Sequence, residues 1–152
     1  MKLSDDSHAR VERFFREYLN EPGLVLPPVS FYGGTPARLV LAAAKGMDAI
    51  TFGRRVFVRP DVFVSDGRGR ATLPGRLVAH EARHVLQYEA RGYPRFFRDY
   101  LRGYWKALRA GKRWDRKARA AAYMAIEEER EAYAAEAEYA SRPGGGERLT
   151  LA

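Results

Sequence analysis

The sequence contains no cysteine. That removes disulfide scaffolds, Cys-ligated zinc, iron–sulfur clusters and thiol catalysis together. Histidine is scarce as well: His8, His80 and His84 are the only three. A bound metal would therefore need imidazole and carboxylate ligands. No run of 18 apolar residues occurs, so no membrane-crossing helix is expected. The stretch MKLSDDSHARVERFF is polar and acidic where a signal peptide carries its apolar segment. A cytoplasmic location is expected on that ground, with signal-independent export left open. Internal repeats and long low-complexity stretches are also missing.

What is present is one domain's worth of chain. The 152 residues are 46% hydrophobic and 30% charged, with 8 Phe, 9 Tyr and 2 Trp. A chain of this length buries roughly 70% of its unfolded surface, enough for a core without covalent staples. Residues 1–141 read as a single domain, and 142–152 read as a flexible C-terminal tail. The net charge is +8, unevenly spread. Residues 91–120 hold eleven Lys/Arg against Asp99 and Asp115; residues 121–141 hold six Glu against Arg130. Such blocks suit a solvated surface or an acidic partner.

Ser4, Asp5 and Asp6 form a helix start. Val11, Phe14, Phe15, Tyr18 and Leu19 then trace one apolar helical face, ended by Asn20, Pro22 and Gly23. His8 in the first turn reads as a solvated side chain. Residues 22–36 are turn-rich and read as irregular, and Arg38–Ala44 is ambiguous. Ala49–Phe52 and Arg55–Val58 flank Gly53-Arg54 and predict a hairpin. Ser65–Gly69 is a polar loop. Pro74 opens a helix that Gly92 and Pro94 close. Phe96–Leu108 and Ala118–Ala140 predict two more helices. The aromatic run Tyr93, Phe96, Phe97, Tyr100, Tyr104 and Trp105 reads as a packing stripe. One hairpin and four helices make an α+β domain.

The helix opened by Pro74 carries His80-Glu81-Ala82-Arg83-His84, an H-E-x-x-H pattern. Residues i and i+4 lie one turn apart, so both imidazoles leave the same helix face and can share one Zn²⁺. Glu81 is placed to take the proton of a metal-activated water as general base. At this composition the pattern arises by chance about 0.005 times per chain. A catalytic zinc wants a third protein ligand, and His8 is badly placed for it. The carboxylates of 127–136 remain. We take Tyr123, Ile126, Tyr133, Ala137 and Ala140 as the buried face of one continuous helix. Glu129 then falls about 50° from its centre, Glu136 about 70°, Glu127 about 110°, and Glu128 and Glu131 about 150°. Glu129 is the favoured ligand, with Glu136 or Glu131 as fallbacks, and the other glutamates form a solvated face.

Residues 47–89 resemble the metallopeptidase domain associated with extracellular contractile injection systems. The likeness rests on the β element Met47–Gly53 and Val56–Pro60, and on Leu77, Ala79, His80, Glu81, His84, Val85 and Gln87 in LVAHEARHVLQ. It covers the middle third closely and the C-terminal helix loosely. It implies the gluzincin class, a small zincin-like core and a third ligand in an E-x-x-A pattern, which Glu129–Ala132 fits. Tyr133 stands where some relatives carry an acidic residue, and Ala82-Arg83 replaces the usual small aliphatic pair. The implied activity is zinc-dependent hydrolysis of a peptide or protein substrate, with injection machinery as an implied partner. Tyr123, Tyr133 or an Arg of the basic helix are candidates to stabilise the oxyanion. The alternative is a basic module binding protein or nucleic acid through Arg91–Arg119, with a structural or vestigial zinc site. It lacks any recognisable nucleic-acid motif, so a nucleic-acid partner is not expected.

Overall fold

A computed structural model of the chain describes residues 1–42, 47–110 and 115–152, apart from the side chains at 116, 119 and 120. Helix α1 (Asp5–Tyr18) begins as the sequence predicts. The Ser4 hydroxyl accepts from the Ser7 N–H, and Asp5 and Asp6 occupy the positive first turn. Its Val11, Phe14 and Phe15 are buried. The turn-rich stretch after it holds a short strand, β1 (Ser30–Tyr32), and then α2 (Gly34–Ala42). Ala43 and Ala44 lie outside the described residues.

The predicted hairpin forms as β2 (Ala49–Phe52) and β3 (Arg55–Val58). Gly53 has φ +59, and the Tyr93 hydroxyl sits 1.5 Å from where a Cβ would be. Only glycine fits that turn. The strand β1 joins β3 in parallel, so the sheet order is β1-β3-β2 and β2 is an edge.

A second sheet is not foreshadowed in the sequence. It consists of β4 (Val64–Ser65), β5 (Ala71–Pro74) and β6 (Arg148–Thr150), all antiparallel. The expected flexible tail is therefore corrected. Residues 142–152 turn back through the Gly144–Gly146 segment, and Leu149 and Leu151 are buried in the core. Leu3 bridges Leu151, which ties the two ends of the chain together. Three glycines and a proline suggest a loose end, but the alternation of Leu149 and Leu151 is a strand period that tertiary pairing uses.

Helix α3 (Gly75–Arg91) runs through the centre and packs most heavily against α6 (Glu127–Ser141). Between them come α4 (Tyr93–Ala110) and α5 (Arg116–Met124). Pro94 lies within the first turn of α4, where its missing N–H costs nothing. The single helix expected over Ala118–Ala140 is two helices. The chain turns at Ala125 and Ile126, where Ile126 adopts φ −67 and ψ 130. The core gathers Phe15, Leu26, Phe31, Val56, Val58, Leu73, Val78 and Val85 around α3 and both sheets. The class is α+β, as the sequence predicts. The aromatic run on α4 is only half a packing stripe: Phe96 is buried, while Tyr93, Phe97 and Trp105 are exposed.

Candidate metal centre

His80, Glu81 and His84 sit in the middle of α3, and all three are buried although polar. Burying two imidazoles and a carboxylate in one helix is costly unless each finds a partner. The imidazoles are one turn apart, with ring centroids at 5.0 Å. Glu129, in the first turn of α6, comes between them. Its carboxylate oxygens lie 3.6 Å from His80 Nε2 and 3.6 Å from His84 Nε2. Those separations are too long for good hydrogen bonds. Two ligands each 2.0–2.1 Å from a tetrahedral Zn²⁺ lie about 3.4 Å apart. One ligand atom from each of the three residues falls within a 4.8 Å group. Glu129 Oε2 is buried and has no hydrogen-bond partner among the described residues. The donor set therefore fits a divalent ion of the zinc type.

The opposite edge of each ring supports this. Gln87 Nε2 donates to the Glu128 carbonyl at 3.1 Å and to Glu131 Oε2 at 2.8 Å. Its Oε1 must then face His84, 2.9 Å from Nδ1, so Nδ1 carries a proton and donates. His84 Nε2 then faces the cluster, where a metal could take it. His80 Nδ1 donates to Glu136 Oε2 at 3.1 Å, with the same result. A carboxylate behind His80 is thus present, supplied by Glu136. Glu136 backs the His80 ring at Nδ1 and is not one of the three residues whose ligand atoms gather. Glu131 accepts from Gln87 and from Arg83 at 2.8 Å. Arg83 points to α6, where it pins the two helices together.

Two tyrosines that lie far from the motif in sequence hold Glu129. The Tyr100 hydroxyl, on α4, donates to Glu129 Oε1 at 3.0 Å. Tyr123, at the end of α5, also engages the carboxylate. Burial, then the Glu129 charge, pushes both phenols well above their usual range, so both remain protonated donors. Burial would raise Glu129, but the contacts with His80, His84 and Tyr123 outweigh it and hold the carboxyl far below the usual range. Burial likewise lowers His80, yet its contacts with Glu129 and Glu136 raise it to about 10.

Glu81 lies on the neighbouring side of α3. Its Oε2 accepts from Thr51 Oγ1, on β2, at 2.6 Å. Among the described residues no hydrogen bond holds its other oxygen. Tyr133 packs edge-on against His80, with centroids 4.7 Å apart, and is 39% exposed. His8 remains in α1, outside the cluster. Glu128 departs from the expected solvated face: it is buried and ion-paired with Arg91. The buried face of α6 is Glu128, Glu129, Ala132, Ala135 and Tyr139, not the assumed one through Tyr133, Ala137 and Ala140.

Sequence reasoning passed over Thr51 and Tyr100. Neither has a local signal, because each reaches the site across a tertiary contact. Gln87, three residues past His84 on the same face, did have one. No protein-family model, curated protein or solved structure matches the chain.

Proposed function

We propose that this chain is a zinc-dependent peptidase in which His80, His84 and Glu129 hold the metal and Glu81 is the general base. The observation that carries the reading is the convergence of three buried groups, His80, His84 and Glu129, each offering a ligand atom within 4.8 Å of the others, with Glu129 Oε2 left without a hydrogen-bond partner among the described residues. A structural role for this set would leave unexplained why a further buried acid, Glu81, sits beside it on the helix of both histidines, oriented by Thr51. Zinc bound there would polarise a scissile carbonyl and bring the pKa of water towards about 7.

Glu81 takes the proton of the attacking water and returns it to the departing amine. Thr51 fixes one oxygen of Glu81, so the carboxylate stays aimed through both transfers. Of the tyrosines at the centre, Tyr100 and Tyr123 are engaged by Glu129. Tyr133, half-open to solvent beside His80, is the one free to donate to the carbonyl oxygen as negative charge grows on it. The substrate class is peptide or protein. The family resemblance supports an association with contractile injection machinery.

Metal analysis of the protein after gentle zinc supplementation is expected to find one zinc per chain. Glu81→Gln should keep that zinc and lose hydrolysis of a mixed fluorogenic peptide library by about 10²-fold or more. Zinc well below one per chain would overturn the metal assignment. Unchanged hydrolysis in Glu81→Gln would remove Glu81 from the mechanism. Full zinc with no turnover on any peptide would favour the alternative, a binding module with a structural zinc site.

A further inference from the structure

Phe96 is buried on the inner face of helix α4, and Tyr100 reaches the candidate metal centre from the same side. Tyr93, Phe97, Leu101 and Trp105 point outward, with exposures of 52%, 37%, 51% and 46%. They follow at four-residue steps, each advancing about 40° around the helix, and cover about 18 Å of its length. Phe52, at the end of β2, lengthens the ridge by stacking on Phe97 at 6.2 Å and is itself 39% exposed. Next to this ridge, on the adjoining arc of the same helix, stand Arg95, Arg98, Arg102, Lys106 and Arg109, all exposed. The one acid among them, Asp99, is paired with Arg95 and Arg98.

We propose that the outer ridge of α4 seats on an anionic lipid surface. The aromatic and leucine side chains would enter the boundary between head groups and acyl chains, and the arginine strip would meet the phosphates. An exposed apolar patch of this kind normally marks an interaction site. Charge and residue type select the partner. The surface must be negative, because five cations border the ridge against one neutralised acid. It must accept aliphatic as well as aromatic groups, because Leu101 lies at the centre of the ridge. A nucleic acid would satisfy the cations, but it gives Leu101 nothing to stack on. Cations beside a Tyr/Phe/Leu/Trp ridge on a single outward-facing helix are the pattern of helices that lie in a membrane interface. The proposal stands apart from the metal chemistry and holds whether or not the centre turns over.

The test is co-sedimentation of the full 152-residue chain with vesicles of phosphatidylcholine alone or with 30% phosphatidylserine, at low and moderate salt. Binding should require the anionic lipid and weaken with salt. Arg102→Glu should lower the partition coefficient more than about fivefold. Leu101→Lys is the deciding variant, since it adds a positive charge while deleting the central apolar group. A seated ridge loses about tenfold in binding, whereas purely electrostatic attachment gains. Circular dichroism of each variant checks the fold, and Leu101→Ser provides the same apolar deletion without charge. The proposal is overturned by no binding to anionic vesicles at low salt. It is also overturned by undiminished binding of Leu101→Lys and Leu101→Ser. Gel filtration showing a dimer that Leu101→Lys splits would assign the ridge to a second copy of the chain instead.

Discussion

Glu129 is held more firmly than either histidine. Tyr100 donates to Oε1, which also faces His84, Tyr123 reaches the carboxylate from α5, and Oε2 faces His80. A carboxylate fixed in this way is preorganised to bind through one oxygen, which leaves room for a water and a substrate. Removing a partner of this kind typically weakens metal binding by about 10–100-fold. Tyr100→Phe keeps the ring that stacks on Phe96 at 5.8 Å and deletes only the hydroxyl. Zinc affinity of this variant, measured by competition with a chromogenic chelator, should fall in that range while the fold is kept. Affinity equal to the parent would show that Tyr100 is a bystander. His80, Glu81 and His84 were legible because their geometry is local: a four-residue step on one helix is fixed before any tertiary contact forms. Glu129 was legible for a less secure reason. The assumed apolar face of α6 was rotated well away from the observed one, and Glu129 lies between the two, so either choice points it inward. Tyr100 and Thr51 act from elements whose approach no local pattern encodes.

The break between α5 and α6 explains how Tyr123 and Glu129 meet. In one unbroken helix they would sit six residues apart and point in different directions. The turn at Ala125 and Ile126 lets α5 fold back over the start of α6. It also places Glu127, Glu128 and Glu129 in a first turn, where the positive helix end favours carboxylates. The sequence offered no glycine or proline at this point, and Ala/Glu-rich composition favours continuous helix, so the break was not legible. Its anchor is Ile126, which is fully buried at the turn. Ile126→Ala removes that anchor from a packed site and should cost about 2–5 kcal/mol. Denaturant unfolding of the metal-free protein would measure the loss. Because Glu129 follows three residues later, zinc affinity should fall with stability. A loss under about 0.5 kcal/mol, the range of ordinary surface changes, would mean that something other than Ile126 holds the turn. The predicted hairpin, α1 and α3 formed as read, since each carries its own caps, turn glycine or period. The second sheet did not, because β4, β5 and β6 are too short to show one and β6 pairs across 76 residues of chain.

That long-range pairing connects the C-terminus to the candidate metal centre. The strand β6 covers β5, β5 runs directly into α3, and the Gly75 N–H at the head of α3 donates to the Glu147 carbonyl at 3.0 Å. Leu149 and Leu151 enter the core that α3 shares with both sheets. Deleting residues 148–152 exposes the partner edge of β5 and removes two buried leucines worth about 1.5–3 kcal/mol each. Against a total of about 5–15 kcal/mol for a domain of this kind, such a chain is near its limit. A ligand that binds only the folded state adds stability by mass action, about 2.7 kcal/mol at a hundredfold excess over Kd. The shortened chain should therefore melt well below the parent without metal and recover part of the difference with zinc. A chelator should then reverse the recovery, because the ligand set spans α3 and α6 and exists only when they pack. Thermal melts of both chains, with zinc and with EDTA, measure all three effects. Equal melting of the two metal-free chains would show that the tail is an ornament on a fold that closes without it. A zinc shift abolished only in the shortened chain would show instead that β6 is needed to assemble the centre itself.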